Sequence, residues 1–108
     1  MTRTIDLRQE DLAILLAVLR ANLSADTDVF VFGSRATGAA RRYSDVDLAL
    51  RGDKPLDGET LGRLREALSA SDLTIKVDLV DLRAVDPSFR NIIESEMVAL
   101  PVRHGNSA

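Results

Sequence analysis

The spacing of hydrophobic residues changes several times along the chain, and each change marks a predicted element. Near the N-terminus, apolar residues recur at intervals of three and four, the period of an amphipathic helix. This first helix is predicted to begin at Asp6, with Gln9 three residues later as in a capping box, and to end near Leu23. Its apolar positions are Leu12, Leu15, Leu16, Leu19 and Leu23.

Two short strands follow the first helix. The run Val29-Phe30-Val31-Phe32 is apolar and rich in β-forming residues, which is typical of a buried strand. From residue 45 to residue 50, apolar and acidic or small residues alternate, which is the period of a second strand. Residues 35–44 between them are small, polar and basic, and are predicted to form a loop or one short helical turn.

The remaining residues alternate between helix and strand again. A second helix is predicted from Asp57 to about Ser71, a third strand over 75–82, and a third helix from Asp86-Pro87, with Asp86 as its cap. A short strand over 97–100 precedes a polar tail, residues 103–108. Helices that alternate with short strands predict an α/β or α+β fold, in which helices flank a small mixed sheet. We expect residues 1–108 to form a single domain.

Composition excludes several classes of protein. The chain has 108 residues, no cysteine, 4% aromatic residues and a net charge of −3. A disulfide framework and thiolate metal sites are therefore excluded, and direct nucleic-acid binding through a basic or base-stacking surface is disfavoured. No signal peptide or membrane-spanning apolar run is visible, so the expectation is a soluble cytoplasmic protein.

The second predicted strand carries two carboxylates that suggest a metal site. Asp45 and Asp47 are two residues apart, so their side chains point to the same face, with backbones roughly 6–7 Å apart. Such carboxylates repel each other unless a cation lies between them, and Mg²⁺ prefers oxygen ligands of this kind. Asp78 in the middle of the third strand is the preferred third ligand. Asp81, near the strand end and open to solvent, is the alternative.

A glycine-serine turn after the first strand supplies the second half of the candidate site. Gly33 permits a tight turn and close approach to a phosphate, and the Ser34 hydroxyl with nearby backbone N–H groups can donate to phosphate oxygens. Arg35 beside them either binds the phosphates or only makes the loop more soluble. Phosphoryl or nucleotidyl transfer requires both divalent metal ions and hydrogen-bond donors to the phosphate oxygens.

These residues resemble the nucleotidyltransferase signature of the polymerase-beta superfamily, most closely its minimal nucleotidyltransferase (MNT) family. The resemblance covers roughly Leu12 to Leu100. It implies a polymerase-beta-like fold in which Ser34 contacts the terminal phosphates of the nucleotide, Asp45 and Asp47 ligate both metals, and Asp78 ligates the catalytic metal and activates the acceptor hydroxyl. The motifs that carry the resemblance are Gly33-Ser34-Arg35-Ala36-Thr37-Gly38, Ser44-Asp45-Val46-Asp47-Leu48 and Val77-Asp78-Leu79-Val80-Asp81-Leu82.

The resemblance also implies a biological setting. MNT proteins are typically the antitoxins of HEPN/MNT toxin–antitoxin pairs, of type VII, and transfer AMP from ATP to a tyrosine of the HEPN toxin. The expected cofactors are two Mg²⁺ ions, with Mn²⁺ as a substitute. Two alternatives stay open here: an antitoxin that masks its partner without catalysis, and a nucleotidyltransferase that acts on RNA ends or a small molecule. The sequence leaves the acceptor, the base preference and the oligomeric state, including a homo-oligomer, undecided.

Overall fold

A four-stranded sheet with helices on its faces organises the chain, as the computed structural model shows for residues 5–38 and 45–102. This confirms the predicted mixed sheet flanked by helices. The predicted basic loop residues Arg41 and Arg42 and the polar tail lie outside the described residues. The elements are α1 (Gln9–Asn22), β1 (Asp28–Phe32), α2 (Ser34–Thr37), β2 (Val46–Arg51), α3 (Gly58–Ser69), β3 (Val77–Asp81), α4 (Pro87–Glu96) and β4 (Val98–Ala99).

The strands lie in the order β3-β2-β1-β4. β1 runs antiparallel to both β2 and β4, whereas β2 and β3 run parallel. The register sets Asp47 of β2 beside Phe32 of β1 on one side and beside Asp78 of β3 on the other. The residues that follow β1 are therefore brought close to the predicted carboxylates.

Apolar side chains leave the sheet on both faces and build two clusters. On one face, α1 and α3 cover the strands with Leu15, Leu19 and Leu64, none of them more than 1% exposed. On the other face, Phe30, Phe32, Ala49, Leu82 and Ile93 form a smaller cluster under α4. In the part of the chain that the structure describes, no helix combines the length and the apolar character needed to cross a membrane.

Two of the three predicted helix starts are confirmed. Asp57 accepts a hydrogen bond from the Thr60 N–H (2.7 Å), and Asp86 precedes Pro87 at the start of α4. The predicted start at Asp6 is wrong, because α1 begins at Gln9 and Arg8 precedes it without a side-chain cap.

An acidic residue of α1 is buried against the loop before β3. Asp11 is 2% exposed, and its two carboxylate oxygens accept hydrogen bonds from the N–H (3.1 Å) and hydroxyl (2.7 Å) of Thr74. Arg8, one turn earlier, adds an ion pair at 3.3 Å. Burial by itself raises the pKa of Asp11, but the Thr74 and Arg8 interactions outweigh it, so that the pKa is lowered.

Candidate active site

Two of the three predicted carboxylates, Asp47 and Asp78, lie on one face of the sheet, and Asp45 immediately precedes β2. Asp47 and Asp78 are partners in the parallel register of β2 and β3, which places them on adjacent strands about 4.8 Å apart. Asp45 lies two residues before Asp47, close enough for its charge to raise the pKa of Asp47. The face of Asp47 and Asp78 is the one that α4 covers further along the strands, since Ala49 and Val80 belong to the cluster under α4.

The carboxyl of Asp47 has a raised pKa. Burial raises its pKa first, and the negative charges of Asp78, Asp45 and Glu96 raise it further. No three His, Asp or Glu side chains within residues 5–38 and 45–102 converge closely enough to hold a metal ion. The carboxylates are thus near enough for their charges to act on Asp47, but they do not form a ready-made ligand cluster. Their hard oxygen donors and mutual repulsion fit a divalent cation, whose charge would relieve the repulsion.

Gly33 brings the turn after β1 directly against Asp47. Its backbone has φ 75° and ψ −153°, a conformation that is essentially restricted to glycine. A Cβ atom at this position would lie 2.5 Å from Asp47 Oδ2. Only glycine therefore lets the turn and this carboxylate lie so close together. Ser34, half-buried, follows at once as the first residue of α2.

Arg35 lies in a position that neither sequence interpretation describes well. Its side chain is 7% exposed, so the idea that it only solubilises a loop is wrong. The guanidinium Nη1 donates to the Asp6 carbonyl oxygen (3.0 Å), and the Asp6 N–H donates back to the Arg35 carbonyl oxygen (2.9 Å). Arg35 thus ties the segment before α1 to α2, and its contact with phosphate stays a prediction.

Asp81 differs from its expected role as a solvated residue at the end of a strand. It is 8% exposed, and its carboxylate accepts hydrogen bonds from the backbone N–H groups of Leu56 (2.8 Å) and Arg83 (2.9 Å). The expectation of solvation is wrong because the strand end is buried against the loop before α3. Strand alternation directs Asp81 to the face opposite Asp78, which leaves Asp78 as the third carboxylate beside Asp47.

Sequence reasoning missed Glu96, the last residue of α4. Its Oε1 accepts a hydrogen bond from the Gly33 N–H (2.9 Å), and its charge contributes to the raised pKa of Asp47. α4 is held next to the site by Phe89, whose ring meets Phe32 edge-on with centroids 6.2 Å apart. A signal was present, since an acidic residue at a helix C-terminus is disfavoured by the helix dipole and invites another explanation.

The acidic residues of β2 and β3 thus lie beside the glycine turn that follows β1. Such a pair can hold divalent cations on one side and phosphate oxygens on the other, which is what transfer of a phosphoryl or nucleotidyl group requires.

Comparison with known proteins gives the same class of chemistry. Residues 15–100 match the family described as "Polymerase beta, Nucleotidyltransferase". A curated protein of Haemophilus influenzae named "Probable protein adenylyltransferase MntA" is 43% identical over 96 residues, which cover 89% of this chain and 83% of the relative.

Solved structures agree with the sequence relatives. A crystal structure of a toxin–antitoxin with AMP-PNP superimposes with a TM-score of 0.69 at 27% identity, covering 82% of this chain and 70% of that one. A tri-AMPylated Shewanella oneidensis HEPN toxin in complex with its MNT antitoxin gives a TM-score of 0.64 at 25% identity, covering 86% and 71%.

Proposed function

This chain belongs to the polymerase beta nucleotidyltransferase family, and we propose that it is the antitoxin that transfers AMP from ATP to a tyrosine hydroxyl of a partner HEPN toxin. The observation that carries this proposal is the register of the sheet. It sets Asp47 beside Asp78, with Gly33 against the Asp47 carboxylate. The AMPylated toxin in the complex that resembles this chain indicates the acceptor.

Each element of the site has a distinct task in this reaction. Asp45, Asp47 and Asp78 would hold two Mg²⁺ ions, or Mn²⁺ in their place, through their carboxylate oxygens. When bound, these ions neutralise phosphate charge and lower the pKa of the acceptor hydroxyl. Ser34 and the turn at Gly33 receive the β- and γ-phosphates. Arg35, which binds the N-terminal segment, holds α2 in place behind them.

The proposed step is an in-line displacement at the α-phosphorus. The tyrosine oxygen forms a bond to that phosphorus, the bond to the bridging oxygen of the β-phosphate breaks, and pyrophosphate leaves toward Gly33 and Ser34. Asp78 accepts the proton of the tyrosine hydroxyl. Since ATP is the donor and a toxin is the acceptor, we propose that the protein acts in the cytoplasm.

The test replaces Asp47 by asparagine and follows label from [α-³²P]ATP into the purified partner toxin. Asp47→Asn should reduce the initial rate by about 10²-fold or more, as expected when one preorganised charge is removed from an active site. The variant should be at least as stable as the parent, because the substitution removes a charge that its neighbours repel. Asp45→Asn is expected to behave in the same way, and Asp72→Asn, an exposed carboxylate outside the site, is the matched control.

The competing interpretations give different results in the same experiment. If the Asp45 and Asp47 variants still label the toxin at the parental rate, the carboxylate assignment is wrong. If they fail to label it but still neutralise it fully, the protein acts as a masking subunit and not through AMP transfer. If the parent labels RNA ends or a small hydroxylated molecule in preference to the toxin, the acceptor assignment is wrong.

A further inference from the structure

A groove of about 490 Å³ lies between the end of α3 and β3, and Asp78 is among the residues that line it. One wall comes from the C-terminal half of α3, including Arg65, and the other comes from the β3 region, including Lys76, Val77 and Leu79. The apolar part of the lining is interrupted only by these two cations, by Asp78 and by Ser69. Val77 and Leu79 belong to the cluster under α1 and α3, so the groove opens mainly on that face beside the edge of β3, whereas the Asp78 side chain leaves the opposite face.

The order of the strands decides which reactant approaches from this side. The turn at Gly33 follows β1, Asp47 lies on β2 and Asp78 lies on β3, and these strands are adjacent in that order. In an in-line displacement, the attacking and leaving oxygens stand on opposite sides of the phosphorus. If pyrophosphate leaves over β1, the attacking hydroxyl arrives over β3, whose outer edge borders the groove.

The outer edge of β3 can bind an extended peptide through its backbone. The Lys76 carbonyl oxygen accepts from Val46 N–H (2.9 Å) and the Leu82 N–H donates to the Leu50 carbonyl oxygen (2.8 Å), so even-numbered residues of this segment face β2. Val77 and Leu79 therefore direct their N–H and C=O groups outward. Among the described residues, β2 is the only strand that pairs with β3. An edge of this kind accepts an added strand.

The charge of the groove indicates the chemistry of that strand. Arg65 and Lys76 are both exposed, and neither forms an ion pair within the described ranges. Two cations beside an apolar channel complement a segment in which acidic residues flank an apolar or aromatic side chain. The chain as a whole carries a net charge of −3, so the positive charge of the groove is opposite in sign to that of the whole protein.

We propose that the groove and the edge of β3 form the acceptor site: an extended, acidic segment of the partner protein pairs with β3, directs alternate side chains into the groove, and carries its acceptor hydroxyl on the opposite face, at Asp78. This inference rests on the proposed AMP transfer and adds where the acceptor binds and what chemistry it carries. Arg65 is a specificity-determining residue in this arrangement, since it contacts the acceptor segment and not the nucleotide.

The test reverses the charge of Arg65 and compares two residues of the same helix. Arg65→Glu should raise the KM for the partner toxin about five- to tenfold, because attraction becomes repulsion, and should leave kcat and the KM for ATP within twofold. The matched control is Arg63→Glu, which makes the same change of charge on α3 at a residue that pairs with Glu59 (3.4 Å) and lies outside the groove. Its KM for the toxin should stay within twofold of the parent.

A second measurement addresses the backbone pairing. Hydrogen exchange of the Leu79 amide, followed by NMR, should slow when saturating toxin is added, whereas the amide of Val80, which already faces β2, should change little. The proposal is overturned if Arg65→Glu and Arg63→Glu give the same KM for the toxin. An increase in the KM for ATP would assign the groove to the nucleotide and overturn it too, as would unchanged exchange at Leu79. Asp47→Asn, assayed in parallel, reports separately on the AMP transfer itself.

Discussion

Replacing Gly33 by alanine tests whether the turn and the Asp47 carboxylate depend on each other. The new Cβ would lie 2.5 Å from Asp47 Oδ2, about 0.9 Å short of the 3.4 Å at which ordinary contact begins. Either the carboxylate or the turn must move by about that distance. Misplacing a reacting group by ~1 Å can reduce the rate about 10²-fold, so we expect a loss of that order in AMP transfer.

The substitution also strains the backbone, and the chain offers a control for part of this effect. Gly33 lies in a glycine-restricted region, where another residue costs about 1–3 kcal/mol. Gly38 also has a positive φ of 84°, in the left-handed helical region, where the cost is about 1–2 kcal/mol. An added Cβ at Gly38 meets no atom within 4 Å among those the structure describes. Gly38→Ala therefore reports backbone strain in the same segment without a clash at Asp47.

The assay pairs urea denaturation with label transfer from [α-³²P]ATP, both on the same preparations. Gly38→Ala should lose about 1–2 kcal/mol of stability and keep its rate within about threefold of the parent. Without urea, where both variants are folded, Gly33→Ala should transfer label about 10²-fold more slowly than the parent. Equal rates for the two variants would refute the reasoning, because the contact with Asp47 would then have no effect on the reaction.

Two further predictions concern residues outside the carboxylate group. Glu96→Ala removes the acceptor of the Gly33 N–H and should raise the KM for ATP about threefold to tenfold. Glu96→Gln keeps an oxygen acceptor, so its KM for ATP should return most of the way to the parental value. Equal KM values in both variants would contradict a role for that hydrogen bond. Asp11→Ala should lower the free energy of unfolding by about 1–3 kcal/mol at pH 7, since Thr74 loses its acceptor. Because the folded-state pKa of Asp11 is lowered, its contribution is present above the usual value of 3.8 and disappears as the pH falls below it, so urea curves at pH 3 should bring parent and variant closer together.

The strands and the capped helices follow from local patterns that the sequence displays openly. An apolar run suffices to predict β1, and the alternation of apolar with acidic or small residues suffices to predict β2. Asp57 and Asp86 cap their helices with their own side chains. The start of α1 was mispredicted because Asp6 is bound by Arg35, a residue 29 positions away that no local pattern connects to it.

The same distinction separates the parts of the site that could be predicted from those that could not. The closeness of Asp45 and Asp47 follows from their spacing of two residues, so the sequence suffices. Asp81 and Glu96 are different, because what they bind is decided by tertiary contacts with Leu56 and Gly33. A buried aspartate that accepts two backbone N–H groups cannot be told from a solvated one by its position at the end of a strand.

The hydrogen bond between Glu96 and Gly33 has a consequence for synthesis on the ribosome. Its partners are 63 residues apart, and β1 also receives β4 as its second neighbour from the residues just after Glu96. A nascent chain that has emerged only as far as β3 lacks the group that fixes the turn beside Asp47. The turn can take its final form only after residues 96–99 have left the exit tunnel. The contact that fixes the turn beside Asp47 is therefore among the last that the growing chain can make.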